Sequence, residues 1–154
     1  MKRQDYFLTF VMFSFFGALF ISCTPAACFE ETNAFLKASF YLDSSKEKVA
    51  PDSLTLSGIG QTNKIYNRAA GVQPALFPLN ASSTSSTFLI GINGVYDTIE
   101  FRYTGFPHLI SKECGYSVFH TLDYHAYSQN NIDTILIINP NITTVNEENI
   151  RIFY

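Results

Sequence analysis

Past Cys28 the apolar positions recur at every second residue, in short runs broken by Gly, Pro, Asn and Ser. That period belongs to strands rather than helices. Leu36, Ala38, Phe40 and Leu42 alternate with Lys37, Ser39, Tyr41 and Asp43, which predicts a strand buried on one face. Leu54–Ser57 predicts a second strand, ending at Gly58-Ile59-Gly60, and Lys64–Asn67 a short third. The run Leu76–Asn80 follows, and Pro78 makes it an edge strand or a broken one because proline has no N–H to donate. The polar stretch from Asn80 to Ser86 reads as a loop.

The clearest local signal comes next. Phe88–Ile92 and Val95–Tyr103 flank Asn93-Gly94, and both residues of that pair tolerate the positive φ of a tight hairpin turn. Tyr116–Tyr127 and Ile132–Asn139 predict a second hairpin around Ser128–Asn131. Ile135–Ile138 is apolar on both faces, which predicts a central strand. Asn149–Tyr154 closes the chain with Ile150 and Ile152 inward. The fold class expected is all-β: an immunoglobulin-like antiparallel β-sandwich of about 8 strands, following an N-terminal signal helix. The name describes architecture only, since the chain has no Trp.

The first 22 residues have a different pattern. Lys2 and Arg3 precede a nearly unbroken apolar run from Tyr6 to Ile21, then Ser22 and Cys23. The order resembles a bacterial lipoprotein signal, in which the peptide is cut before a cysteine that carries lipid. Asp5 dilutes the positive start, and Phe20 stands where Leu is usual, three before the cysteine. Two other readings are open. One is a retained helix, although Tyr6–Ser22 is only 17 residues, the short limit for a span. The other is an ordinary signal cleaved after Ala27. The lipoprotein reading divides the chain into a signal over 1–22, a lipidated tether over 23–33 and a sandwich domain over 34–154. It sets the protein in the cell envelope, at the outer membrane, held to the membrane through the lipid on Cys23.

With residues 1–22 set aside, eight basic and twelve acidic side chains remain, a net charge of −4. No basic cluster is present, which argues against nucleic acid as a partner. Two cysteines also remain, Cys28 and Cys114. A single pair in an exported chain reads as one disulfide, with two buried thiols as the alternative.

A set of short motifs carries a wider resemblance. Cys28 and Glu31-Thr32 follow the lipid-site cysteine; Asp-Ser-Leu-Thr-Leu-x-Gly-Ile-Gly stands at Asp52–Gly60. Pro78–Asn80, Ser86–Phe88, Asp97–Ile99, Ser111–Gly115 and Asn149–Phe153 complete the set. Together they resemble a family of uncharacterised lipoproteins from Bacteroidota that carries a domain of unknown function. The resemblance implies envelope placement and a Cys28–Cys114 pair, and it implies no activity. The resemblance to that phylum also implies O-glycosylation where Asp precedes Ser or Thr and then an aliphatic or Thr residue, giving Ser53, Thr98 and Thr134 as candidates. The competing reading is turn chemistry, because Asp-Ser and Asp-Thr suit the entry to a strand.

Catalytic chemistry is sparse. His120 and His125 are five apart and point to opposite faces of a regular strand, unless a bulge intervenes; Asp123 and His125 share one face. No Ser lies in a Gly-x-Ser-x-Gly elbow, and Gly58-Ile59-Gly60 lacks the third glycine of a dinucleotide site. Neither a catalytic residue nor a cofactor or metal site is assigned. Tyr96, Tyr103, Tyr116, Tyr124 and Tyr127 are candidates for a sugar or peptide platform, or else for strand packing. The expected function is a non-catalytic binding or structural module facing an envelope protein or glycan. The alternatives are a sugar- or lipid-binding barrel or sandwich, and an enzyme built near His120, Asp123 and His125.

Overall fold

A computed structural model describes residues 27–154, so the signal segment and Cys23 lie outside the described residues. Among the described residues there are ten strands: β1 Phe35–Tyr41, β2 Leu54–Gly58, β3 Tyr66–Ala69, β4 Ala75–Pro78, β5 Ser85–Ile92, β6 Val95–Ser111, β7 Gly115–Tyr127, β8 Thr134–Ile137, β9 Asn141–Ile142 and β10 Ile150–Phe153. They form a four-stranded sheet, in the order β4-β1-β10-β8, and a six-stranded sheet, in the order β3-β2-β5-β6-β7-β9. The architecture is therefore the expected all-β sandwich. One pairing departs from the antiparallel rule: β1 and β10, the first and last strands, run parallel, with Ala38 opposite Ile150 and Phe40 opposite Ile152.

The alternation seen in the sequence is what fills the interior. Leu36, Ala38 and Phe40 on β1 and Ile150 and Ile152 on β10 face Leu54, Leu56, Phe88, Ile90, Ile99 and Phe101 of the larger sheet in one buried cluster. Phe77 of β4 sets its ring edge-on to Phe88 and Phe101, at centroid distances of 5.1 and 5.5 Å. As Pro78 requires, β4 is an edge strand. The Asn93-Gly94 turn has φ of 51° and 91°, the doubly positive geometry of a tight hairpin.

Three expectations need correction. The predicted hairpin of Tyr116–Tyr127 with Ile132–Asn139 does not form; β7 pairs with β6 and β9, while β8 pairs with β10 in the other sheet. The chain changes sheets because the loop after β7 is bonded back to β6: Asp97 takes the N–H groups of Asn130, Asn131 and Ile132. Consequently β8 is an edge strand, not a central one. Only Ile135 of its apolar run is buried, and Leu136, Ile137 and Ile138 are exposed. Finally, β6 continues well past Tyr103 to Ser111, so its hairpin with β7 is the longest element of the fold.

Asn149 ties the four-stranded sheet together. It is 2% exposed. Its Oδ1 accepts the Lys37 N–H at 2.9 Å, while its Nδ2 donates to the carbonyls of Asn139 and Asn141 at 3.1 and 2.9 Å. Its own backbone N–H donates to Lys37 O, and its carbonyl accepts from Ile138 and Asn139. One side chain thus joins β1, the crossover between β8 and β9, and the entry to β10. Replacing Asn149 by Ala strips partners from three buried or half-buried backbone groups, each costing about 1–3 kcal/mol. Asn149→Ala should lower the unfolding free energy by about 3 kcal/mol or more in urea titration. A loss below about 1 kcal/mol would show that the hub is not needed.

Candidate functional site

The hairpin of β6 and β7 outruns its sheet. β5 accompanies β6 only from Val95 to Arg102, and β9 touches β7 only at His120 and Thr121. Beyond these contacts, Pro107–Leu109 and Tyr116–Val118 pair with each other alone, as a two-stranded ribbon. A free ribbon of this kind is marginal in water. Here its tip is fastened. Cys114 is joined to Cys28 across 86 residues of sequence, with Cα atoms 4.8 Å apart. The Ser117 hydroxyl donates to the Thr32 carbonyl, and the Cys114 N–H to the Ser111 hydroxyl at 3.1 Å. The arm of residues 27–34 therefore begins at the ribbon tip and leads back to β1. Within it, Glu31 accepts the Asn33 backbone and side-chain N–H groups, and these bonds hold its carboxyl below the usual range.

The tip is apolar on both faces. Leu109 and Tyr116 stand opposite one another, and Phe106 stands opposite Phe119. Tyr116 is 72% exposed and Phe29, next to Cys28, is 93% exposed; Phe106 and Leu109 are also open to solvent. The His108 ring stacks on Phe119 at 4.3 Å.

The three Asp-Ser and Asp-Thr pairs lie in different settings. Ser53 is half-buried before β2, and its N–H donates to Asn93 Oδ1 at 3.1 Å. Thr134 is half-buried and opens β8. Thr98 is exposed inside β6 rather than at a turn into a strand, and its N–H donates to Ser128 Oγ at 2.9 Å. Its neighbour Asp97 is 2% exposed and accepts four bonds: from Ser128 Oγ and from the backbone N–H of Asn130, Asn131 and Ile132, all within 3.1 Å. Burial alone would raise the Asp97 pKa, but these donors outweigh it and leave it below the ordinary carboxylate value.

The histidines do not converge with Asp123. A bulge between Arg102 and Tyr103 does intervene, so that His125 lies opposite inward Phe101 and His120 opposite Gly105. Both therefore occupy the inner side. Asp123 is the extra residue of the bulge; it is exposed and accepts the Thr104 hydroxyl at 2.8 Å. The expectation that Asp123 and His125 share a face fails for this reason. His120 is buried edge-on against Tyr103 at 5.0 Å, with no partner for its Nδ1, and burial lowers its pKa. Burial likewise lowers that of His125, opposed by the carbonyl of Ile135. Among the described residues no group of three or more His, Cys, Asp or Glu is placed to hold a metal ion.

Nor do the five tyrosines make a row. Tyr103 is buried, its hydroxyl bonded to both the N–H and the carbonyl of Asn80 and to Ser86 Oγ. Tyr96 lies over Gly91, where an added Cβ would come within 2.6 Å of the ring, so this glycine is required by its neighbour. Tyr124 carries the Arg102 guanidinium at 5.4 Å, and Tyr127 is half-buried beside His125. Open grooves flank the sandwich, the one between β2, β4 and β5 being about 570 Å³ and lined by Ile59, Ile65, Leu79 and Phe88.

A family described as "Family of unknown function (DUF6452)" matches residues 53–154. The chain belongs to the DUF6452 family. No curated protein and no solved structure matches it. The DUF6452 match opens one residue before β2 and runs through β10, so it takes in Cys114 and Asn149. It leaves out β1 and Cys28, which sit at the centre of the small sheet and at the ribbon tip.

Two measurements follow from this geometry. The paired variant Cys28→Ser and Cys114→Ser should lose about 4 kcal/mol, by the chain-entropy relation for a loop of this length. Limited proteolysis should then cut first within 105–119; an unchanged melting temperature and digest would show the staple to be idle. Asp97→Asn should cost about 2–3 kcal/mol at neutral pH, since it removes a buried carboxylate from four donors. Because the folded pKa of Asp97 is depressed, its contribution is full above the unfolded carboxylate pKa, about 4, and fades as pH falls through the folded value. The stability gap between wild type and Asp97→Asn should therefore narrow below about pH 4 in acid titration. A constant gap would exclude this role.

Proposed function

We propose that the chain is a lipoprotein of the Bacteroidota cell envelope, cut before Cys23 and held at the outer membrane by acyl chains on that residue. It works there without catalysis, as a binding or structural module facing an envelope protein or glycan. The observation that carries the reading is the place of the Cys28–Cys114 bond. Cys28 is five residues past Cys23, so a lipid on Cys23 loads its pull onto the ribbon tip and through it onto the larger sheet. Two or three acyl chains suffice for stable anchoring, at about 0.8 kcal/mol per buried CH₂.

This module reading is preferred to a sugar- or lipid-holding barrel because one side-chain cluster fills the space between the sheets and the tyrosines are dispersed. It is preferred to an enzyme because His120 and His125 are drawn inward while Asp123 faces out with Thr104. The acidic balance and the absence of a basic cluster disfavour nucleic acid. Under the same reading Ser53, Thr98 and Thr134 are O-glycan acceptors. Thr98, exposed on β6, is the most open of the three.

Cys23→Ala should abolish incorporation of labelled fatty acid and move the protein from the membrane to the soluble fraction. Undiminished labelling would refute the anchor. An intact mass equal to polypeptide plus lipid would remove the glycans and leave the anchor standing.

A further inference from the structure

Resting on the anchored reading, we infer that the ribbon tip is itself a membrane-contact site, with Phe29, Leu109 and Tyr116 seated in the interfacial zone of the lipid bilayer. Three observations lead there. The first is reach. Cys28 is five positions past Cys23, and a fully extended chain of that length spans at most about 18 Å. Cys28 and Cys114 are bonded, so the tip is confined to that distance from the lipid-bearing residue. The second is composition. Phe29 and Tyr116 are the most exposed large apolar or aromatic side chains among the described residues, and Leu109 lies directly across from Tyr116. Aromatic and aliphatic side chains of this kind suit the headgroup boundary.

The third is shape. The ribbon stands beyond its neighbouring strands, and its two faces both present apolar residues, Leu109 and Tyr116 on one and Phe106 on the other. A surface built to pack against a protein sheet needs one apolar face; an element dipping into lipid needs both. Charge decides the kind of surface. Lys112 at the turn is offset by Glu113, Glu30 and Glu31, so attraction to anionic headgroups is not what holds the tip. The contact is apolar, with a zwitterionic bilayer as sufficient partner.

The chain has no Trp, so a single introduced indole reports its own surroundings. Full-length Tyr116→Trp protein is expressed in membranes, purified in lipidated form and reconstituted in phosphatidylcholine vesicles, with or without bromine near the headgroup end of the acyl chains. Tyr124→Trp serves as reference: it is eight residues along β7, roughly 26 Å from the tip. The expected result for the Tyr116→Trp protein is a blue-shifted emission quenched roughly twofold or more by brominated lipid and insensitive to salt, while the Tyr124→Trp protein is unquenched. Leu109→Trp gives a second reading should the Tyr116→Trp protein fold poorly. Vesicle-bound Tyr116→Trp and Leu109→Trp proteins that both escape quenching would overturn the tip contact and leave the anchor intact. Equal quenching of the Tyr124→Trp protein would overturn it as well, since the domain would then lie flat. Protein that does not sediment with vesicles would overturn the anchor, and the tip contact with it.

Discussion

The small sheet depends on the parallel seam between β1 and β10, and that seam depends on Asn149. Parallel neighbours cannot be joined by a short turn, so nothing local brings Phe35–Tyr41 to Ile150–Phe153. The side chain of Asn149 supplies what a turn would. It behaves as an extra peptide unit, with an acceptor for Lys37 and two donors for the carbonyls of Asn139 and Asn141. Every polar atom of the group is satisfied, which is why a buried amide is tolerable there.

Asp97 plays the matching part on the other sheet. A buried carboxylate bonded to four donors fixes where the loop after β7 turns, and so decides which sheet receives β8. These two residues account for the connections that separate this topology from a plain meander. Both are short polar side chains acting on backbone groups, and both sit where the chain passes from one element to the next. The outer side of the small sheet shows the same economy on a smaller scale. Glu148 gathers Tyr41 and Arg151, and the Arg151 guanidinium in turn covers the Tyr41 ring at 5.1 Å.

What the sequence disclosed, and what it hid, follows from the range of each interaction. Alternation marked β1, β2 and the β5–β6 hairpin, because side-chain period and turn chemistry are local. Pro78 marked an edge for the same reason. Ile135–Ile138 misled, since an apolar run looks alike in a central strand and in an exposed edge; Leu136 and Ile138 are outside, and only the partner strand tells the difference. The bulge at Arg102 and Tyr103 was equally hidden. It shifted the parity of His120 against His125 and cast Asp123 outward, and no single residue there announces it. Among candidate site residues, the Cys28–Cys114 bond was legible because only two cysteines stand past Cys23, which leaves one possible pair. The four-donor role of Asp97 was not, although the residue itself stood in the Asp97–Ile99 motif.

The seam of first and last strands has a consequence for timing. In a chain that emerges N-terminus first, β1 is made well before its partner, since Ala38 pairs with Ile150, 112 residues further on. Until then the centre of the small sheet has a vacancy, and β8 has nothing to pair with. Native pairings this distant in sequence make for slow folding. The six-stranded sheet needs no strand later than β9, whereas the small sheet cannot close until β10 enters between β1 and β8, so the two layers of one sandwich become complete at different moments.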